Sequence, residues 1–297
     1  MPLMKQIAII APTASGKTAL SIELAHKTNS IILSLDSLAI YKEIDIASAK
    51  PSLKERDGIM HFGIDEIYPD EKFDVMKFID IYYHTKEYAK KHDKNIIIVG
   101  GTGFYLKALI DGISEVPTID NEIHAKVMHI LSDTQNAYNE LVNIDSDFAN
   151  TIKSNDKYRI EKALCLYYQT NQKPSIYYEL HKPKPIIDDL EIYEIEWDVE
   201  ELRQRIRLRT QIMIQDGIID EAILLEKKYA RTIPPMGSIG LKESLDYLDG
   251  KLTKNELEEK ITIATAGLAK RQRTFNKGQF NNVQKGSLQF IRDKFFL

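Results

Sequence analysis

The segment IIAPTASGKTALS, Ile9 to Ser21, constrains the fold of this chain more than any other. An apolar run without helical period, Gln6 to Ile10, is stopped by Pro12 and reads as a buried parallel strand. Lys17 to Lys27 reads as a helix, with Leu20 and Leu24 on one side. Between them lies a phosphate-binding loop, since successive backbone N–H groups ahead of a helix form a concavity for anionic oxygens. Gly16 lets the chain pass close to a ligand, Lys17 supplies a point charge, and the Thr18 hydroxyl is suited to ligate Mg2+. Ala11 stands where the usual pattern begins with glycine, and alanine serves there if its φ is negative.

The following residues repeat the alternation. SIILSLD ends at Asp36, the helical segment Val75 to Lys91 follows, and NIIIVGGTG spans Asn95 to Gly103. Strand, loop and helix in turn define the α/β class: a P-loop nucleotide-hydrolase-like core with a parallel sheet flanked by helices. Ligands of such sheets collect at the carboxyl ends of the strands. The Gly-Lys loop, Asp36 and the Gly100–Gly103 turn are therefore expected to share one crevice. After about Gly112 the texture changes to helical patterns at 121–132, 135–144 and 157–170, closed by the linker HKPKPIIDD. Strand character returns in LEIYEIEW (190–197), and helices are predicted at 199–230 and 254–276. Residues 1–112 and 190–297 thus form the predicted core, and 113–189 a helical insertion domain.

Composition limits the function classes. The 297 residues are 43% hydrophobic and 28% charged, as in ordinary globular proteins. The net charge of −4 is uneven: from Thr265 onward seven basic residues stand against Asp293 alone, a surface for a polyanion or simply a solvated face. Cys165, the one cysteine, reads as a core residue and excludes a disulfide framework. The seven histidines lack ligand spacing, which argues against zinc, and His61 reads as structural. No stretch approaches the ~18 apolar residues of a membrane span and no signal region opens the chain, so a cytoplasmic protein without a leader is expected; a monomer is expected as well. An ATP user normally carries a metal-holding acid at the end of a second strand. Here VGGTG has none, and Asp36 is the acid that ends a strand, able to orient a metal or to take a proton. The residues alone leave open a small-molecule or nucleotide kinase and an RNA-binding protein with a vestigial loop.

Several ordered motifs together resemble the tRNA dimethylallyltransferase family over nearly the whole chain. APTASGKT (11–18) is similar to that family's GPTASGKT, and DSLAIYKEIDIASAKP (36–51) to its DSxxxYxxxDIGTAKP block, with Ala47-Ser48 for Gly-Thr. HFGID (61–65), VGGTGFYLKAL (99–109) and SNDKYRIEKAL (154–164) follow in order. SIGLKE (238–243) resembles IGYKE, with Leu241 for tyrosine and Gly237 where the family often has arginine or glutamine. TAGLAKRQRTF (265–275) resembles AKRQxTWF, with Phe275 for tryptophan and Asn276 for phenylalanine.

The resemblance implies transfer of a dimethylallyl group from dimethylallyl diphosphate to N6 of the adenosine at tRNA position 37, with diphosphate as leaving group. It implies that Thr13, Ala14, Ser15, Gly16, Lys17 and Thr18 bind the diphosphate, with Thr18 on Mg2+, and that Asp36 is the catalytic base. Loop type alone would also suggest ATP binding. The tRNA anticodon stem-loop is expected to meet Asp36, Ser37, Leu38, Ala39, Thr102, His124, Tyr158, Arg159, Ile160, Glu161, Lys162, Arg271 and Gln272, most of the insertion domain's share lying in YRIEK (158–162). Arg159 reads equally as a surface arginine paired with a nearby acid. Arg205 and Arg209, four apart in a predicted helix, share a face that could meet RNA phosphate or core acids.

Overall fold

The computed structural model describes residues 4–296. Strands β1 (Gln6–Ile10), β2 (Ser30–Ser34), β3 (His61–Phe62), β4 (Asn95–Gly100), β5 (Glu191–Ile195) and β6 (Val283–Gly286) form one all-parallel sheet in the order β3-β2-β4-β1-β5-β6. The central strand β1 pairs on one side with β4, where Ile10 is aligned with Gly100, and on the other with β5. Ala8, Ile9 and Ile10 are almost fully buried, which is why their run lacks polar alternation. Ile9, Ile32, Ile97 and Val99 pack with Leu20 and Leu24 of α1 (Lys17–Lys27) and with Ile291 of α13 (Leu288–Phe296). The alternate residues Ile31, Leu33, Ile96 and Ile98 are equally buried and point to the other face. Helix α2 (Val75–Lys91), capped by Asp74 accepting from the Met76 and Lys77 N–H groups, packs on β2, β3 and β4. Its Phe78 stacks on Tyr105 of α3 (Gly103–Asp111).

The chain forms two compact units, Asp111–Ile186 and the remainder. The smaller unit contains α4 (Asn121–Ile130), α5 (Thr134–Ile144), α6 (Ser146–Ala149), α7 (Lys157–Thr170) and α8 (Pro174–Leu180). These close around Val127, Leu141, Ile160, Leu164 and Cys165. Asp145 organises this unit: Oδ1 caps α6 by accepting from Phe148 N–H, and Oδ2 accepts from Ser175 N–H at 2.7 Å. In the sheet unit the chain resumes where it left, with Ile187 N–H donating to Leu109 O at 3.0 Å.

The helix predicted over 199–230 is two helices, α9 (Val199–Gln215) and α10 (Ile218–Tyr229). The break falls at Gly217, whose φ of 98° ends one helix and caps the next. With α11 (Leu241–Leu248) and α12 (Lys254–Gln279), they complete the sheet unit. Met213, Ile218, Leu225 and Leu241 pack on Ile40 and Ile44 of the segment after β2. A buried carboxylate fixes that segment: Glu221 of α10 accepts from the N–H groups of Asp45 (2.7 Å), Ile46 (2.7 Å) and Ala47 (2.9 Å). Lys50 Nζ completes the clamp through Asp45 (2.6 Å), Asp65 (2.5 Å) and Tyr41 O (3.0 Å). Among the described residues no helix is long and apolar enough to cross a membrane.

Because Glu221→Ala strands three amides that now meet a carboxylate, it should lower unfolding stability by about 3 kcal/mol. Urea denaturation of wild type and variant measures the difference.

Candidate active site

The loop between β1 and α1 is shaped by backbone conformation. Ala11 does not have positive φ, so the missing glycine there carries no conformational penalty. Positive φ falls instead on Ala14 (63°) and on Gly16 (84°), the N-cap of α1. No acidic residue occupies the first turn of α1, which leaves its positive end open to an anion. The loop is held from outside by three side chains. Gln272 of α12 accepts from Thr13 N–H (3.0 Å), Trp197 Nε1–H donates to Ser15 O (3.0 Å), and Arg205 Nε–H donates to Ala14 O (2.8 Å). Gly101 makes room for Gln272: a Cβ there would lie 2.3 Å from its amide nitrogen.

The Lys17 ammonium and the Arg209 guanidinium line three of the cavities that adjoin the loop. Burial, the nearby Arg209 and, in opposition, Asp36 bring the Lys17 pKa down to about 8. Burial also lowers that of Arg209, and Asp36 partly restores it. Thr18, Asp36 and His61 line the small cavity of about 50 Å³, room for a few waters. A second cavity, about 180 Å³, has Thr13, Asp36, Ser37, Thr102 and Gln272 on its polar side and Leu38, Ile206, Met213, Ile239 and Leu268 on its apolar side. The third, about 530 Å³, runs along Ala14 to Ala19 and the exposed Leu208 and Ile212.

Asp36 stands just beyond β2. Its Oδ1 accepts from Leu38 N–H (2.9 Å) and Ala39 N–H (3.2 Å), which fixes the carboxylate and leaves Oδ2 for a ligand or a proton. Thr102 N–H donates to Leu35 O at 3.2 Å, tying the Gly100–Gly103 turn to the same strand end. The loop, Asp36 and Thr102 thus meet at the carboxyl edge of the sheet. His61 donates Nδ1–H to Ile59 O (2.8 Å), while Nε2 is buried without a partner among the described residues, and burial lowers its pKa.

Other expected residues are placed differently. Ser15 Oγ is buried and meets no partner among the described residues, so this residue offers the crevice its backbone N–H rather than its hydroxyl. Arg271 is exposed and lines none of the three cavities. In the helical unit Ile160 is fully buried in the core, which removes its side chain from any RNA contact. Tyr158 is 68% exposed at the start of α7, and Arg159 pairs with the N-cap Asp156 at 3.4 Å. Glu161 meets Lys162 at 3.1 Å and His124 at 3.7 Å. Arg205 braces the loop from an exposed position, and Arg209 enters the crevice, where it feels the Asp36 carboxylate. Sequence spacing placed them on one face but could not aim them.

Among the described residues no group of three or more His, Cys, Asp or Glu side chains converges on a metal position. A Mg2+ ion does not require one, because it keeps several waters and binds through one or two protein oxygens plus substrate phosphates. The Thr18 hydroxyl and the Asp36 carboxylate, lining one polar cavity, are oxygen donors of the fitting kind.

Fold and crevice define the class, a P-loop-like α/β core with a cationic site at the sheet's carboxyl edge. The IPP transferase family model matches residues 39–279. The chain is 57% identical to the tRNA dimethylallyltransferase of Aliarcobacter butzleri, covering 94% of both proteins. It is 52% identical to that of a Sulfurovum species, covering 96% of this chain and 95% of the relative. Among solved structures, a tRNA isopentenylpyrophosphate transferase from Bacillus halodurans matches with TM-score 0.70 at 28% identity, covering 98% and 97% of the two chains. A eukaryotic dimethylallyltransferase described as acting on tRNA matches with TM-score 0.83 at 28% identity, covering 95% of this chain and 74% of that one. The chain belongs to the IPP transferase family.

The Lys17 charge sets a pH dependence. In the free protein it is lost through about pH 8, whereas a bound anion favours the charged form and raises the pKa. Binding above pH 8 therefore takes up a proton, and affinity for inorganic diphosphate should fall as pH rises through 8, by at most about tenfold per unit. Calorimetric titration from pH 7 to 9.5 beside Lys17→Arg, which shares the ligand's own ionisation, isolates this slope.

Proposed function

We infer that this enzyme transfers a dimethylallyl group from dimethylallyl diphosphate to N6 of the adenosine at position 37 of cytoplasmic tRNA, releasing diphosphate. The observation that carries the reading is that Lys17, Arg209 and Asp36 line one crevice at the mouth of a phosphate loop. It is joined by membership of a family whose relatives are named for this transfer.

Negative charge grows on the diphosphate as the allylic C–O bond breaks. Lys17, Arg209 and the loop N–H groups are fixed cationic or dipolar groups where that charge develops, so they favour the transition state over the substrate. When bound, Mg2+ held by the Thr18 hydroxyl would supply further charge neutralisation. The apolar side of the second cavity, from Leu38 to Leu268, suits a hydrocarbon chain and excludes water from an allylic cation. The adenine N6 lone pair is delocalised into its ring, so attack on carbon is aided by loss of the N–H proton. Asp36 Oδ2, free of the amides that hold Oδ1, accepts it.

The target base must leave its stack to reach such a site. Ser37 and Thr102 line the second cavity, which supports a role for them in contacting it. The helical unit contributes contacts to the anticodon stem-loop through Tyr158, Arg159 and Lys162, exposed in the first turns of α7. A Tyr158 ring with the Lys162 ammonium 5.5 Å from its centre offers a base both stacking and charge.

Labelled dimethylallyl diphosphate, Mg2+ and an unmodified anticodon stem-loop test the reading, with label on the RNA adenosine as the expected result. Absence of transfer, with ATP consumed instead, would replace it by a kinase. Asp36→Ala should reduce single-turnover transfer by ~10²–10⁴-fold while diphosphate binding changes less than about threefold. Arg209→Gln should instead raise the KM for dimethylallyl diphosphate by about tenfold or more and also lower kcat.

A further inference from the structure

A loop binds phosphate only if its N–H groups point into the concavity, and in a trans peptide the carbonyl then points the opposite way. Two successive carbonyls of this loop are taken up by side chains far away in sequence: Ala14 O by Arg205 and Ser15 O by Trp197. Their peptides carry the N–H groups of Ser15 and Gly16, and among the described residues neither N–H has a hydrogen-bond acceptor. The two holders are coupled, with the Arg205 guanidinium 4.5 Å from the centre of the Trp197 ring system. They stand on parts of the fold independent of the loop, Trp197 just beyond β5 and Arg205 on α9. Arg205 also lies along the loop's outer side, its Nη2 being 3.5 Å from where a Cβ on Gly16 would be. The first of the two held peptides follows directly on Ala14, whose φ of 63° is left-handed, a conformation that non-glycine residues rarely adopt.

We propose that Trp197 and Arg205 are positioning residues that hold the Ala14–Ser15 and Ser15–Gly16 peptides with their N–H groups turned to the diphosphate. Without them Ala14 relaxes toward negative φ, the peptide rotates, and the loop loses two donors before any substrate arrives. This rests on reading the loop as the diphosphate site.

The test uses the full-length protein with Trp197→Phe, which keeps the ring and loses the N–H donor, and Arg205→Met. Each is made with Ala14 present and with Ala14→Gly. Titration of inorganic diphosphate in Mg2+ should show each single variant binding about tenfold more weakly, the effect of one lost oriented hydrogen bond. The KM for dimethylallyl diphosphate should rise in step, kcat should fall with it because the same donors meet the growing charge, and Tm should stay within about 2 °C. Ala14→Gly should restore most of the affinity, since glycine holds positive φ unaided. Unchanged affinity in both variants overturns the proposal, as does a loss that Ala14→Gly leaves in full or one that falls on kcat at constant KM. A wild-type protein that does not bind diphosphate overturns the reading of the loop itself, and the positioning role with it.

Discussion

Two cations confined to one crevice set the terms for the rest of this structure. Lys17 begins α1 and Arg209 lies on α9, and they face the same cavities. Their mutual repulsion and desolvation favour moving apart, and only the surrounding packing prevents it. Leu20 and Leu24 anchor α1 to the sheet, while Ile206 and Met213 anchor α9 to its neighbours. The result is a site whose charges are arranged before the ligand comes, so little reorganisation is left for the moment of reaction. Asp36 tempers the arrangement without neutralising it.

The wall opposite the loop is held by buried electrostatics of a different kind. The Glu221 carboxylate satisfies three backbone donors of residues 45–47, and Lys50 ties the next turn to Asp45 and Asp65. Ala47, Ser48 and Ala49, which border the cavities, inherit their positions from these anchors. Side chains that touch no reactant thus determine where the reactant-facing backbone lies, an arrangement suited to a site built largely from loops.

Local chemistry was legible in the sequence, and long-range aim was not. The phosphate loop, Asp36 and the glycine turn could be placed at strand ends because strand, loop and helix follow one another within a few residues. The helical texture after Gly112 was equally plain, down to Cys165 in a core. Strands β3 and β6 escaped notice because two and four residues at the sheet margins show no alternation. The break at Gly217 was hidden by a continuous helical pattern on either side. Ile160 sits inside a motif rich in charged residues, yet its i, i+4 partner Leu164 marks it as core. Arg209, Trp197 and Glu221 owe their roles to contacts across large sequence distances, and no local pattern could assign them. Their signals, an arginine pair four apart and a lone tryptophan after a strand, become meaningful only with the fold.

The pairing of β1 with β5 has a consequence for how the molecule is made. The chain is synthesised from the phosphate loop onward, but β1 acquires its second neighbour only when Glu191–Ile195 has emerged, after the whole helical unit. The hydrogen bond between Leu109 and Ile187 brings the ends of that detour together, so its length adds only logarithmically to the cost of closure. Arg205, Arg209 and Gln272 arrive later still. On the ribosome, the part of the site made first waits for partners near the end of the chain, so a truncated product has a phosphate loop in sequence but not in shape.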